Sequence, residues 1–225
     1  MRYLKFIIFM MMLSIIGCKH TPKTPSSSDW STKEITLIHA KAPQLNLTAL
    51  KLSLTAYQKA RQQGLDTQQL LTVIDYSKPS NERRLWVINL KTNTIVLNTW
   101  VAHGKNSGGL NATSFSNNAR SLKSSLGVFI TENSYIGSHG YSMRIQGLEQ
   151  GINDNVYHRA VVFHGARYVG ADVAKSRGML GRSWGCMAVG QDTIKPLVDT
   201  IKNKTVVVAY YPEPNWLKNS KYINV

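Results

Sequence analysis

Gly181-Arg182-Ser183-Trp184-Gly185-Cys186-Met187-Ala188 is the stretch from which the rest of the chain is read. Upstream by 22 positions lies Val161-Val162-Phe163-His164-Gly165-Ala166, an apolar run that ends in a histidine. A thiol and an imidazole that meet in the fold are the minimum for a cysteine nucleophile with its own base. Either residue alone is more often a buried or structurally satisfied group, so the pair needs support from its surroundings. The Gly, Arg, Ser and Gly that flank Cys186 place it on a loop rather than in a core.

The chain's other end supplies the first support. Residues 1–17 begin Met-Arg-Tyr-Leu-Lys, continue through an apolar run and end at Gly17. A basic start and a short apolar core describe an export signal, and the run is too short to span a bilayer as a helix. Ile15-Ile16-Gly17-Cys18 resembles the bacterial lipobox, which implies that Cys18 is lipidated and becomes the first residue of the mature chain. Lys19 after it, where sorting signals would place Asp for inner-membrane retention, implies the periplasmic face of the outer membrane. The alternative is an ordinary signal peptide and a soluble periplasmic or secreted protein. Residues 18–44 read as the lipidated cysteine and a flexible tether, because the early part is rich in Pro, Ser, Thr and Lys. Of the two cysteines, this leaves Cys186 unpaired in a compartment that oxidises thiols.

The formal net charge is +15. Basic charge often marks nucleic-acid binding, but an exported protein rarely meets nucleic acid, and no zinc-finger spacing is present. No His-x-His or His-x-x-x-His pair and no carboxylate at ligand spacing suggests a metal, and no cofactor is expected. The remaining polyanions are lipid headgroups and cell-wall peptides with free carboxylates, toward which such a charge steers a protein.

Leu50, Leu54 and Tyr57 keep helical spacing and Gly64 supplies a stop, which predicts a leading helical segment over residues 45–68. Short apolar runs then predict strands over residues 70–76, 84–90, 94–102, 127–131, 142–146, 159–163 and 205–211, with a hairpin turn at Lys91-Thr92-Asn93. Residues 104–125 are crowded with Gly, Asn and Ser. A loop of that length in a compact domain is uncommon and more often functional than idle. One late helix is expected from Asp192 or Thr193 to about Lys202, with Pro196 in its first turn. Residues 213–225 read as a tail. The expected fold class is mainly β, one sandwich or barrel domain over residues 69–212 with a leading helix and one late helix.

His164-Gly165 followed by Ser183-Trp184-Gly185-Cys186 resembles the His-Gly and Ser-x-Gly-Cys pattern of the YkuD-type L,D-transpeptidase catalytic domains. The divergent murein L,D-transpeptidase branch also has stretches similar to Ala102-His103-Gly104-Lys105-Asn106-Ser107-Gly108, Ser124-Ser125-Leu126-Gly127, Gly137-Ser138-His139-Gly140 and Gly181-Arg182-Ser183. The resemblance implies an L,D-transpeptidase-like fold, Cys186 as nucleophile, His164 as base and the Gly165 carbonyl as the group that orients His164. The chemistry adds its own demands. An imidazole beside the thiol is expected to raise the thiolate share. An oxyanion needs donors, for which the backbone N–H groups of Gly185 and Cys186 are candidates. Ser183, Trp184, His139 and His103 are candidate substrate contacts. Many family members carry Arg or Asn two residues after the cysteine, where this chain has Ala188, and Arg182 is expected to supply the missing group.

The resemblance implies a cell-wall acyl-transfer enzyme acting on peptidoglycan stem peptides through a Cys186 thioester. The acceptor would be a stem amine or an amine of an outer-membrane protein. One alternative sends the thioester to water, as an L,D-carboxypeptidase or amide hydrolase. Another is a non-catalytic lipoprotein that anchors the outer membrane to peptidoglycan.

Overall fold

Leu70–Asp75 (β1) is buried from Leu71 to Asp75 because both of its faces are covered, the pattern of a strand in the middle of a layered fold. The computed structural model describes residues 30–224. The expected signal segment, the Cys18 lipid site and the first part of the tether lie outside the described residues.

Seven further strands complete one mixed sheet: β2 (Leu85–Asn89), β3 (Thr94–Thr99), β4 (Gly127–Gly137), β5 (Gly140–Gly147), β6 (Val162–Gly165), β7 (Met187–Val189) and β8 (Val206–Tyr210). Their order is β3-β2-β1-β8-β4-β5-β6-β7. Only the β1–β8 and β6–β7 pairs are parallel. Beyond the end of β3, Ala102 bridges Ala188 of β7, so the two edges of the curled sheet touch. The expected β-rich, L,D-transpeptidase-like fold is present.

Five helices accompany the sheet: α1 (Thr32–Lys41), α2 (Leu47–Gln62), α3 (Ala171–Arg177), α4 (Ile194–Ile201) and α5 (Pro214–Asn219). The tether expected over residues 18–44 is therefore helical through α1. Ser31 and Glu34 form a reciprocal capping box there, which satisfies the first turn's free N–H groups. Asn46 caps α2, whose Leu50, Leu54 and Tyr57 form one buried stripe. The expected tail is also structured, because α5 buries Trp216.

The sheet lies between two apolar layers. On its outer face, α1, α2 and α5 pack on Leu71, Val73, Trp86, Ile88, Val128, Val206 and Val208. On its inner face, Ile74, Val87, Phe129, Met143, Phe163, Met187 and Val207 meet the Ile194, Leu197, Val198 and Ile201 stripe of α4. Successive strand residues point to opposite faces. It follows that Met143, Phe163 and Met187 turn inward, and their neighbours Ser142, Arg144, Val162, His164 and Ala188 turn to the other side. That second side of β5, β6 and β7 carries the site.

Candidate active site

Parallel pairing of Phe163 with Met187 and of His164 with Ala188 sets the site's geometry. Extending the register by one residue puts Cys186 opposite Val162. Cys186, the residue before β7, and His164 thus stand on neighbouring segments, offset by two residues. With strands about 4.8 Å apart and about 3.3 Å per residue, their Cα atoms lie about 8 Å apart.

The imidazole is oriented as the sequence suggested. His164 Nδ1 lies 3.0 Å from the Gly165 carbonyl. A carbonyl only accepts, so Nδ1 carries the proton and Nε2 is left as the basic nitrogen. His139, at the two-residue tip of the β4–β5 hairpin, stacks on this ring with 4.4 Å between centroids and 23° between planes. Burial pushes the His164 pKa below its ordinary value, and the His139 ring lowers it further.

Cys186 is half-buried and its thiol points to Ala160 O at 3.6 Å. No hydrogen bond joins it to His164 among the described residues. Burial pushes the thiol pKa up, against the Val162 N–H and the Arg159 guanidinium, which pull it down. Burial thus outweighs the nearby positive charge at the thiol, and both shifts favour the uncharged form of each group.

The loop that carries the thiol is closed on itself. Ser183 Oγ donates to Cys186 O at 2.7 Å and accepts from Gly185 N–H at 3.1 Å. Ser183 N–H donates to His103 O, and Lys105 N–H donates to Ser183 O at 2.7 Å. Ser183 is 2% exposed, so it braces the loop and is not available as a substrate contact. The Gly185 N–H expected to meet an oxyanion is engaged by Ser183, whereas the Cys186 N–H makes no hydrogen bond among the described residues. Gly185 has φ +117°, and a Cβ there would stand 2.8 Å from Lys123 O, so the loop requires glycine.

His103 is 0% exposed and also leaves the list of contacts. The fully buried Arg84 donates to its Nδ1 at 2.8 Å and to Val101 O from Nε and Nη2. Burial and that cation lower the His103 pKa to about 4, which keeps the ring neutral. Arg182, expected to read substrate, gives its one hydrogen bond to Gly108 O at 3.2 Å. Ala188 is fully buried beside Ala102, Ala166, Val169 and Leu180. Trp184 is 78% exposed beside the thiol.

Sequence reasoning gave no local role to Arg159. Its guanidinium donates to Ser116 O (2.7 Å), Ser125 Oγ (2.5 Å), Ser121 Oγ (3.2 Å) and Lys123 O (2.7 Å). It therefore holds the long polar loop against the cysteine loop and is the cation that faces the thiol. Its partners lie 34 to 43 residues away in sequence, so no local pattern marks it. Among the described residues, no three His, Cys, Asp or Glu side chains converge as metal ligands would.

A curled mixed sheet with a thiol directly before one strand and an oriented imidazole on its parallel neighbour defines an L,D-transpeptidase-like protein. The chain belongs to the family of L,D-transpeptidase catalytic domains, whose model matches residues 41–210. Among curated proteins, none matches. Solved structures similar to it include the Ldtfm–avibactam carbamoyl enzyme (16% identity, 65% of this chain and 51% of that one, TM-score 0.41). An L,D-transpeptidase from Mycobacterium smegmatis is 13% identical over 64% of this chain and 59% of that one, with TM-score 0.40. Residues 123–326 of the Xylanimonas cellulosilytica L,D-transpeptidase are 14% identical over 80% and 94%, with TM-score 0.39. The chain covers 51% and 59% of the length of the first two structures it matches.

Proposed function

We propose that the protein is a cysteine-dependent L,D-transpeptidase acting on peptidoglycan stem peptides. The observation that carries this reading is Cys186 directly before β7 beside His164 of the paired β6, with His164 Nδ1 held by the Gly165 carbonyl. When a donor amide enters, the thiol leaves Ala160 O and gives its proton to His164 Nε2 as Sγ attacks the carbonyl carbon. The C–S bond forms and the carbonyl π pair becomes an oxyanion, which the Cys186 N–H is placed to meet. The oxyanion then collapses, the C–N bond breaks, and His164 returns the proton to the departing amine. An acceptor amine attacks the thioester, His164 takes its proton, and the thiolate leaves and is reprotonated.

The stem amine, an outer-membrane protein amine and water are the candidate acceptors. Export by residues 1–17 and lipid on Cys18 would place the enzyme on the periplasmic face of the outer membrane. Incubating the purified chain with muropeptides, followed by mass spectrometry, tests the reading. Crosslinked stems, or stems joined to an added amine, support transfer. Stems shortened by one residue make the protein a carboxypeptidase. Unchanged stems, together with retained binding to sacculi, would make it an anchor and overturn the enzymatic reading.

A further inference from the structure

Arg144 stands two segments across the sheet from the thiol. It pairs with Val162 across β5 and β6, and the Val162 N–H in turn meets the Cys186 thiol. Arg144, Val162 and Cys186 therefore follow one another across three neighbouring segments. At about 4.8 Å per strand, they span about 10 Å from Arg144 to Cys186. That length accommodates about one amino-acid residue beyond a carbonyl under attack at Sγ, given about 3.3 Å per extended residue plus the side chains.

The guanidinium is fixed without being used. It lies over the Tyr135 ring at 4.8 Å and the Tyr157 ring at 5.5 Å. Among the described residues it donates no hydrogen bond and makes no ion pair. The site's other arginines differ. Arg84 and Arg159 have their donors taken by backbone carbonyls, hydroxyls and an imidazole, and Arg182 is tied to Gly108 O. Two ring faces hold a planar cation in one orientation and leave its N–H edge open. The segment that supplies Tyr157 also supplies Arg159 and Ala160, the two groups beside the thiol.

We propose that Arg144 is the specificity-determining residue of this site, a fork that docks a carboxylate of the donor peptide while Cys186 attacks its amide. This rests on the acyl-transfer reading above. The carboxylate comes either from the donor's C-terminus or from a side chain of its stem, and both present the same planar pair of oxygens to the guanidinium. Tyr157 of that cradle is itself exposed, so the arginine lies at the surface of the site rather than in the core.

The test compares three donors: an unmodified stem tetrapeptide, its C-terminal amide, and its side-chain amide. Each is turned over by the wild-type chain, Arg144→Lys and Arg144→Gln, with Cys186 alkylation and Tm recorded for every protein. We expect Arg144→Gln to lose about ten- to a hundredfold in kcat/KM on the unmodified donor. Arg144→Lys should recover only part of this, because an ammonium lacks the planar fork. On the donor whose amidation removes the docked carboxylate, wild type and variants should turn over alike, which also identifies the source. Equal losses on all three donors, or no loss on any, would overturn the proposal. If the wild-type chain turns over none of them, acyl transfer fails and the dock is read separately, by titrating the three peptides into Cys186→Ala and into Cys186→Ala/Arg144→Gln. Binding that weakens about tenfold or more on loss of Arg144, for carboxylate donors alone, keeps the dock. Equal binding removes it.

Discussion

A neutral thiol beside a neutral imidazole has a pH signature different from that of a preformed ion pair. The His164 pKa is pushed below 6.5 by burial and by His139, and the Cys186 pKa is pushed above 9.0 by burial. His164 is therefore available as a base above its lowered pKa, and Cys186 stays protonated until the pH passes its raised one. We expect acylation to stay flat across neutral pH, with its acid limb below 6.5 and its alkaline limb above 9. His139→Ala should move the acid limb up toward the ordinary histidine value, because it removes the stacked ring that covers His164 and lowers its pKa. Iodoacetamide labelling of Cys186 should climb with pH through the alkaline range. A labelling rate that plateaus near neutral pH would mean a resting thiolate and would remove the general-base reading. His164→Ala should cost about 10²- to 10⁴-fold in acylation, the span of general-base contributions. The residue scale was also the most legible in sequence. An apolar run ending in His-Gly announces a strand whose last side chain reaches an edge, and Gly-Cys announces a thiol on a tight loop. Ser183 and His103 each had two readings in sequence, substrate contact or structural brace, because a polar residue looks the same in either role and only the partners decide.

At the scale of elements, the cysteine loop keeps its shape through two neighbours, the strand end at residues 101–105 and the long loop over residues 104–125. Arg159 ties the second to the first turn of β6 through four acceptors. Charge-assisted hydrogen bonds contribute about 1.5–3 kcal/mol each, but those of a part-exposed group do not add fully, so Arg159→Ala should cost about 2–4 kcal/mol in total. Its effect should appear in Tm and in faster proteolysis within residues 114–125. Arg159→Lys should recover little, because one ammonium cannot reach the four acceptors. A variant with unchanged Tm and a fast-labelling Cys186 would show that Arg159 holds neither the loop nor the thiol. Sequence patterning found most strands because their runs are apolar and bounded by turn residues, and found α4 from a cap at Asp192 or Thr193 and Pro196 in its first turn. It missed β7 because Met187–Val189 is three residues long and grows out of the loop before it. It missed α1 because only Ile38 of that helix is buried, so its stripe hardly differs from a tether. Arg159 escaped for another reason. Its partners are backbone oxygens and hydroxyls on a loop far away in sequence, and such contacts carry no residue-type pattern.

At the scale of the molecule, the family's span of residues 41–210 stops short of a segment that the fold uses. Residues 214–223 return across the outer face of the sheet, where Trp216, Tyr222 and Ile223 join the same apolar cluster as Leu50, Leu54 and Tyr57 of α2. The sequence pattern gave no hint of this, because Pro, Asn and Lys surround the tryptophan and a tail is the natural reading. Trp216 is 1% exposed. Its indole N–H donates to Glu149 at 3.2 Å, and the same carboxylate accepts from Val128 N–H at 2.7 Å and from Ser220 Oγ. Burial raises the Glu149 pKa against those three donors, so each donor matters to the folded state. Trp216→Ala leaves a large cavity in the outer layer and takes away one of the donors, and substitutions of this kind cost about 3–5 kcal/mol. Trp216→Phe refills most of the volume without restoring the N–H, so its cost should fall between wild type and alanine, near the value of one lost buried hydrogen bond, about 1–3 kcal/mol. The site lies farther along the same face, over β5, β6 and β7 rather than under the C-terminal segment, so both variants should label Cys186 at the wild-type rate below their melting temperatures. Chemical denaturation with parallel labelling reads both quantities. If Trp216→Ala leaves the midpoint unchanged, the C-terminal segment is an appendage and the domain ends where the family match ends. If it slows or speeds labelling before unfolding begins, the outer layer reaches the thiol along that face through β4 and β5, and the two regions of the sheet are not independent.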